Sequence, residues 1–429
     1  MDSIGKITDV AINEFTLETT LDKMTSDIRS YNLDLTPYGD TNLLAGVDDL
    51  YALLDDQLVM LQAMLSSPYI VTFVQKARNW KTTLKSLQEL LDEWLTCQQR
   101  WLYLAPIFSS EDITRQLPAE GRKFTAVDTT WKKIMTQTKI NPKVLVVSAQ
   151  DRLFKQLSDC NQLLEVILKG LQEYLDRKRA SFSRFYFLSN DELLDILSKA
   201  KDPASVKPHL RKCFESLVSL KFNQNFEIKS IFSAEGEKVN LAEPVLANKE
   251  VEKWLTELES VVKKTLRKLL TRAVVAHSKM TRENWILSWP AQLVLTANQI
   301  IFTQLMTKLL TSQDSQELKL VRSKLNEQLN DLSQMQTAEK NVLHKKTLTA
   351  LLLSDIHNRD IVDRLLELKN ASIYDFEWKS LMRFYWEDQS CVIRILNSTL
   401  NYGYEYIGNT SRLVVTPATQ KIFRYSFLI

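Results

Sequence analysis

Apolar residues recur at three- and four-residue spacing over most of this 429-residue chain, the signature of amphipathic helices. The pattern is sharpest at 249–276. There Val251, Trp254, Leu255, Leu258, Val261, Val262, Leu266, Leu269, Leu270 and Val274 share one face. Such a helix is about 42 Å long at ~1.5 Å per residue, with Asn248 as its predicted N-cap. Glu250, Glu252, Glu257 and Glu259 precede Lys263, Lys264, Arg267, Lys268 and Arg272, an order that suits the helix dipole. The acidic half balances the basic one, so the basic cluster reads as a solvated face rather than a partner patch.

Further helices are predicted at 7–29, 44–64, 68–101, 125–136, 149–179, 190–200, 208–220, 291–312, 316–333, 338–370 and 374–387. Pro290 separates the long helix region from the next one. Two runs break the pattern. Residues 226–241 alternate around Glu235-Gly236 and predict a hairpin. Residues 390–415 are rich in β-branched and aromatic side chains and predict strands. No period of fixed length recurs, which argues against a regular solenoid. The predicted fold is mainly α: an elongated array of helical bundles with an inserted β-hairpin and a short β-rich C-terminal end.

Composition sharpens this picture. The chain has 8 Gly and 10 Pro, about 4 % together against a usual ~12 %, and few chain breakers mean long helices. A net charge of +3 gives no argument for nucleic acid or membrane binding. No uninterrupted apolar run reaches transmembrane length, and the first residues carry no secretory signal. Cys97, Cys160, Cys213 and Cys391 form no CxxC pair, and the four His form no HExxH. No metal site or disulfide framework is expected, and a reducing compartment is.

One joint is specified by every local signal. In FSRFYFLSNDELLDILS (182–198), four aromatics (Phe182, Phe185, Tyr186 and Phe187) run into a helix start. Ser189 and Glu192 have the spacing of a capping box, and Leu188 and Leu193 that of a hydrophobic staple.

Candidate chemistry is sparse. Gly403, Gly408 and Thr410 fit G-x-x-x-x-G-x-[ST], but Asn409 stands where a P-loop needs Lys. The bulky Tyr404, Tyr406 and Ile407 and the anionic Glu405 do not suit a phosphate cradle, so a strand followed by a turn is expected. Trp94, Cys97 and Trp101 fall three and four apart, which reads as a buried seam rather than a base-stacking surface. Ser109 is predicted to cap a second helix, with Phe108 and Ile113 as its staple, and Pro106 to keep the connection extended. Asp112 near that start is explained by the dipole. Asp55-Asp56 and Glu111-Asp112 point apart on a helix, and no nucleophile elbow accompanies any Ser. No catalytic centre is expected.

The wording of 182–198 resembles the RFYFLSNDELL signature in the linker region of dynein heavy chains, where a Pro often stands at Ser183. The likeness runs through the chain in the family's order. SSPYI (66–70), WLYLAPIFSSEDITRQLPAEGRKF (101–124) and VDTTW (127–131) come first. CNQLLEVILKGLQEYLDRKR (160–179), KDPASVKPHLRKCFE (201–215), SAEGE (233–237), VEKWLTELE (251–259) and WPAQLVL (289–295) follow. HKKTLTALL, HNRDIVDRL and DFEWKSLMRFYW (344–386) lead into YGYEYIGNTSRLVVTP (402–417). Phe302 stands where Trp is common. The wording around SSPYI and PIFSSEDI is closer to axonemal, inner-arm heavy chains than to cytoplasmic ones.

The resemblance implies a tail-proximal start at 1–40, a linker at 41–400 and the opening of an AAA+ module at 401–429. The family continues past VVTP into a Walker A loop, whereas this chain ends in KIFRYSFLI. A truncated module unable to hydrolyse ATP alone is therefore expected. ATP and Mg²⁺ would belong to the parent motor, and no cofactor to this chain. The resemblance implies a lever over the AAA+ ring of the same heavy chain. Intermediate and light chains and microtubules would be partners through the parent complex, in cytoplasm, cytoskeleton and ciliary axoneme. Val414, Val415, Thr416 and Pro417 would line the base side of the first nucleotide module. Ser189, Glu192, Trp101, Pro106 and Trp254 are the expected structural residues. The competing reading is a non-motor helical scaffold that binds partner proteins through its long helices.

Overall fold

The computed structural model describes all residues except Met1, Asp151, Ala200, Lys201, Gln313, Asp314, Lys369, Asn370, Ser411 and 427–429. The predicted helix ends at 200 and 370 and the tip of KIFRYSFLI lie outside the described residues. The chain divides into two compact units, Met1–Arg177 and Lys178–Ile429.

The first unit is built from α1 (Asp2–Ser30), a hairpin of β1 (Asp34–Tyr38) and β2 (Thr41–Ala45), α2 (Val47–Leu65) and α3 (Val74–Phe108). Then come α4 (Glu111–Gln116), α5 (Pro118–Ile140), α6 (Val144–Ser148) and α7 (Leu153–Ser181), within which the first unit ends. The predicted seam on α3 is present: Trp94, Cys97 and Trp101 are buried, and Trp101 stacks on Trp131 of α5 with centroids 5.6 Å apart. The Trp101 indole N–H donates to Asp128 at 3.1 Å, which satisfies its one polar atom. On α7, Asn161 donates to the Glu93 carbonyl and carboxylate of α3 at 2.8 and 2.6 Å. Cys97 and Cys160 are both buried free thiols.

Two expectations fail here. Pro106 does not keep the connection extended; it sits inside the last turn of α3. Proline there forgoes the backbone N–H that would bond to the Leu102 carbonyl, and Phe108 just beyond it stacks on Phe124 with centroids 5.2 Å apart. The cap position of α4 is Ser110, not Ser109, whose hydroxyl donates back to the Pro106 carbonyl at 2.6 Å.

The second unit begins with the end of α7 and a 3₁₀ turn at Ser183–Phe187. Next are α8 (Asn190–Ser198), a 3₁₀ stretch at Pro203–His209 and α9 (Leu210–Cys213). Strands β3 (Ser219–Phe222), β4 (Glu227–Phe232) and β5 (Lys238–Leu246) form an antiparallel sheet in that order. Helices α10 (Val251–Ala276), α11 (Arg282–Ser288), α12 (Ala291–Ser312), α13 (Ser315–Ala338), α14 (Val342–Glu367) and α15 (Phe376–Lys379) follow. A second antiparallel sheet, β6 (Arg383–Glu387), β7 (Ser390–Ile395) and β8 (Ser398–Asn401), precedes α16 (Pro417–Ser426).

The predicted hairpin around Glu235-Gly236 is β4–β5, extended by β3 on the other side of β4. The predicted helix 208–220 is not formed as such. Pro203 and Pro208 fall in the 3₁₀ stretch, and Ser219–Phe222 finds its hydrogen bonds on β4 instead. The predicted helix 374–387 is four residues of helix and then β6, because Phe384, Tyr385 and Trp386 pair with β7. Among the described residues of 390–415 only β7 and β8 are strands; the Tyr402 N–H still donates to the Cys391 carbonyl at 3.0 Å, and 403–407 runs on without a strand partner. The N-cap of α10 is Glu250 rather than Asn248.

Helix α10 buries the predicted stripe, including Trp254, Leu255, Leu258, Leu266 and Leu270. Helix α12 is long and apolar enough by composition to cross a membrane, although polar Gln, Thr and Asn residues interrupt its apolar run. Two thirds of that stretch (67 %) is buried inside the unit, as in a core helix.

Candidate functional site

The joint at 182–198 is the best specified feature locally. Ser189 has extended backbone, and its hydroxyl accepts from the Glu192 N–H at 3.3 Å. Glu192 reaches back to the Ser189 N–H at 3.1 Å, completing the predicted capping box. Leu188 and Leu193 are both buried. Lys212 donates to Glu192, and this, with the Ser189 N–H, holds the carboxyl below its usual range. Of the four aromatics, Phe182 and Phe185 are buried, while Tyr186 and Phe187 are 66 and 70 % exposed.

The joint fastens the C-terminal segment through Arg184. Its guanidinium makes two hydrogen bonds to Glu405, 2.7 and 2.6 Å, and a third to Glu259 of α10 at 3.1 Å. It also donates to the Cys213 carbonyl at 3.0 Å and lies 4.8 Å from the centroid of the Phe214 ring. The fork of a guanidinium matches a carboxylate bidentately, which a lysine cannot do. Glu405, then Glu259, pushes the Arg184 pKa up. Burial opposes ionisation of Glu259, but Lys263 and Arg184 outweigh it and hold that carboxyl low.

Residues 402–409 are held on both sides of Glu405. Gln292 at the start of α12 donates to the Tyr402 hydroxyl and the Glu405 carbonyl, both at 2.7 Å, and accepts from the Ile407 N–H at 3.1 Å. Buried Glu237, from the β4–β5 turn, accepts from the Tyr406 hydroxyl and from the Ala291 N–H, both at 2.7 Å. A carboxylate at the N-terminus of α12 is stabilised by the helix dipole. Burial, then Glu237, pushes the Tyr406 pKa up. Asn409 donates to the Leu343 carbonyl and the Thr347 hydroxyl, both at 2.9 Å.

Gly408 has φ +63°, and a Cβ there would lie 3.1 Å from Ser216 and 3.2 Å from Ser233. The glycine is required twice, for backbone sign and for close approach. Thus 403–410 forms a packing strap with a turn at Gly408-Asn409, not a phosphate loop. Tyr404 takes φ +49°, a conformation unusual for an aromatic residue. Its hydroxyl accepts from the Cys391 N–H at 2.9 Å.

The other expected residues fall elsewhere. Val414 and Pro417 are exposed, Val415 is half-buried, and Thr416 accepts from the Thr419 N–H at 3.2 Å in the first turn of α16. Trp254 is buried in α10. Among the described residues, no cluster of three or more His, Cys, Asp and Glu is placed to hold a metal ion.

Sequence reasoning missed Arg184, Glu237 and Gln292, which act through partners up to 221 positions away. The one available signal was Arg184 lying inside the aromatic run.

The family described as "Dynein heavy chain, N-terminal region 2" matches residues 1–273. Dynein axonemal heavy chain 1 of Rattus norvegicus is 42 % identical over 425 residues, covering 99 % of this chain and 9 % of the relative. Dynein axonemal heavy chain 12 of Mus musculus is 40 % identical over 99 % of this chain and 14 % of its own length. Dynein axonemal heavy chain 3 of Homo sapiens is 40 % identical over 99 % of this chain and 10 % of its own length. The chain therefore spans about a tenth of the length of these relatives. With its matched region and its whole-length likeness to axonemal heavy chains, the chain belongs to the dynein heavy chain N-terminal region 2 family.

Proposed function

We propose that this region is the mechanical lever, the linker, of an axonemal dynein heavy chain, contributing to ATP-driven movement on microtubules in the ciliary axoneme. The observation that carries the reading is the three-way junction at Arg184. It joins the 182–198 joint, α10 and the segment that leads to 414–417. A lever needs stiff elements and a firm attachment at its driven end. Helix α10 supplies 26 residues of continuous ladder, about 39 Å at ~1.5 Å per residue. Lys178 pairs with Glu252 at 2.5 Å near its start, and the Ala242 N–H donates to Thr265 at its middle. Force arriving through 402–409 passes to α10 through Glu405 and Arg184, and to α12 through Gln292.

In this reading the AAA+ ring of the same heavy chain is the surface on which the lever docks. Differential docking in two nucleotide states drives its switching. ATP and Mg²⁺ act in the ring, Val414–Pro417 form the base-side edge of the first module, and intermediate and light chains join through the whole complex.

The test is Ser260→Pro in a full-length heavy chain. Ser260 is exposed on α10, so the substitution acts on the ladder alone, at about 3 kcal/mol or more. ATP hydrolysis should persist while microtubule gliding slows sharply. Normal gliding with a demonstrably kinked α10 would remove the lever role from this helix.

A further inference from the structure

A cavity of about 90 Å³ lies in the second unit between α12, α14, β6 and α16. Its lining includes Phe302, His357, Trp378, Arg383 and Gln420. Arg383 is 8 % exposed, yet no carboxylate lies within 4 Å of it among the described residues. Its terminal nitrogens make only two long hydrogen bonds, to the Tyr385 hydroxyl at 3.3 Å and the Lys379 carbonyl at 3.4 Å, and its Nε has no partner. The Trp378 and Tyr385 rings lie 6.0 and 5.9 Å from its guanidinium carbon, at the outer limit of cation–π range, and neither carries a counter-charge.

The neighbourhood adds positive charge. Arg383 stands directly across the ladder from Arg394, a like-charge pairing that costs stability. The carboxylates nearby are already engaged. Glu387 is held by Arg394 at 2.9 and 2.7 Å, Asp360 by Arg359 at 2.7 Å, and Asp355 by Arg282 and Asn298. A second donor lines the same cavity. Gln420 is 8 % exposed, and its carboxamide oxygen accepts from Arg364 at 3.2 Å. Arg364 has only donors, which fixes the amide orientation and leaves Gln420 Nε2 without a partner.

A buried cation without a counter-charge among the described residues, beside an unpartnered amide donor, is costly unless an acceptor completes it. We propose that this cavity is an oxyanion site, in which Arg383 and Gln420 bind phosphate or a carboxylate group. The reading is independent of the lever function.

The test is isothermal titration of the chain in chloride buffer at constant ionic strength, with inorganic phosphate in one arm and acetate in the other. Saturable one-to-one binding in either arm is expected. Phosphate alone would assign a tetrahedral anion, acetate alone a carboxylate. Arg383→Met should weaken binding about tenfold or more, the usual effect of losing a charged hydrogen bond, and Gln420→Leu by less. Far-UV circular dichroism checks folding. Should Arg383→Met fail to fold, Gln420→Leu, close to the chain end, carries the comparison. No saturable heat with either anion, or the same affinity in wild type and every folded variant, would overturn the assignment.

Discussion

Arg184 grips Glu405 with two hydrogen bonds of 2.7 and 2.6 Å across 221 positions of sequence. The Arg184 side chain is 19 % exposed, so its replacement strands the partly desolvated carboxylate of Glu405 and leaves Glu259 with Lys263 alone. Arg184→Met should destabilise the chain by about 2 kcal/mol. Glu405→Gln should cost less, because Glu259 still holds the guanidinium. A double-mutant cycle on urea midpoints measures the pair, and a coupling near zero would mean the junction is loose.

Ser189→Ala removes the hydroxyl that accepts from the Glu192 N–H. The expected cost is about 0.5–2 kcal/mol. An unchanged urea midpoint at the same m-value would mean the box contributes nothing in solution.

Two glycines in one strap should respond differently. Gly408→Ala meets both a positive φ and two serine side chains, and should cost about 1–2 kcal/mol or more. Gly403→Ala meets nothing within 4 Å and should stay within about 0.5 kcal/mol of wild type. Thermal midpoints of the two variants decide it; equal losses would contradict the packing of Gly408.

His357 sets a pH window. Burial, then Arg364, pushes its pKa down from 6.5 to about 4. Between these values the unfolded chain binds a proton that the folded chain does not. Its contribution is therefore complete above about pH 6.5 and is lost as pH falls toward 4. From pH 7 to 5 the wild type should lose about 2 kcal/mol more than His357→Gln. Parallel pH profiles of the two in urea would show that His357 is solvated.

In a fold this helical, much is local. The box at Ser189 and Glu192, the seam of Trp94, Cys97 and Trp101, and the buried face of α10 were all legible along the chain. A helix closes its hydrogen bonds within four residues and buries a stripe whose spacing shows in the sequence. Pro106 reads along the chain as a break, yet the helix continues through it to Phe108. What only the tertiary structure decided needed distant partners. Ser219–Phe222 and Arg383–Glu387 became strands because β4 and β7 supply their ladders. Arg184, Glu237 and Gln292 acquired their roles because folding brings the 402–409 strap to them. A strand, an ion pair or a buried carboxylate is satisfied by groups far away in sequence, and no window along the chain contains both halves of the bond.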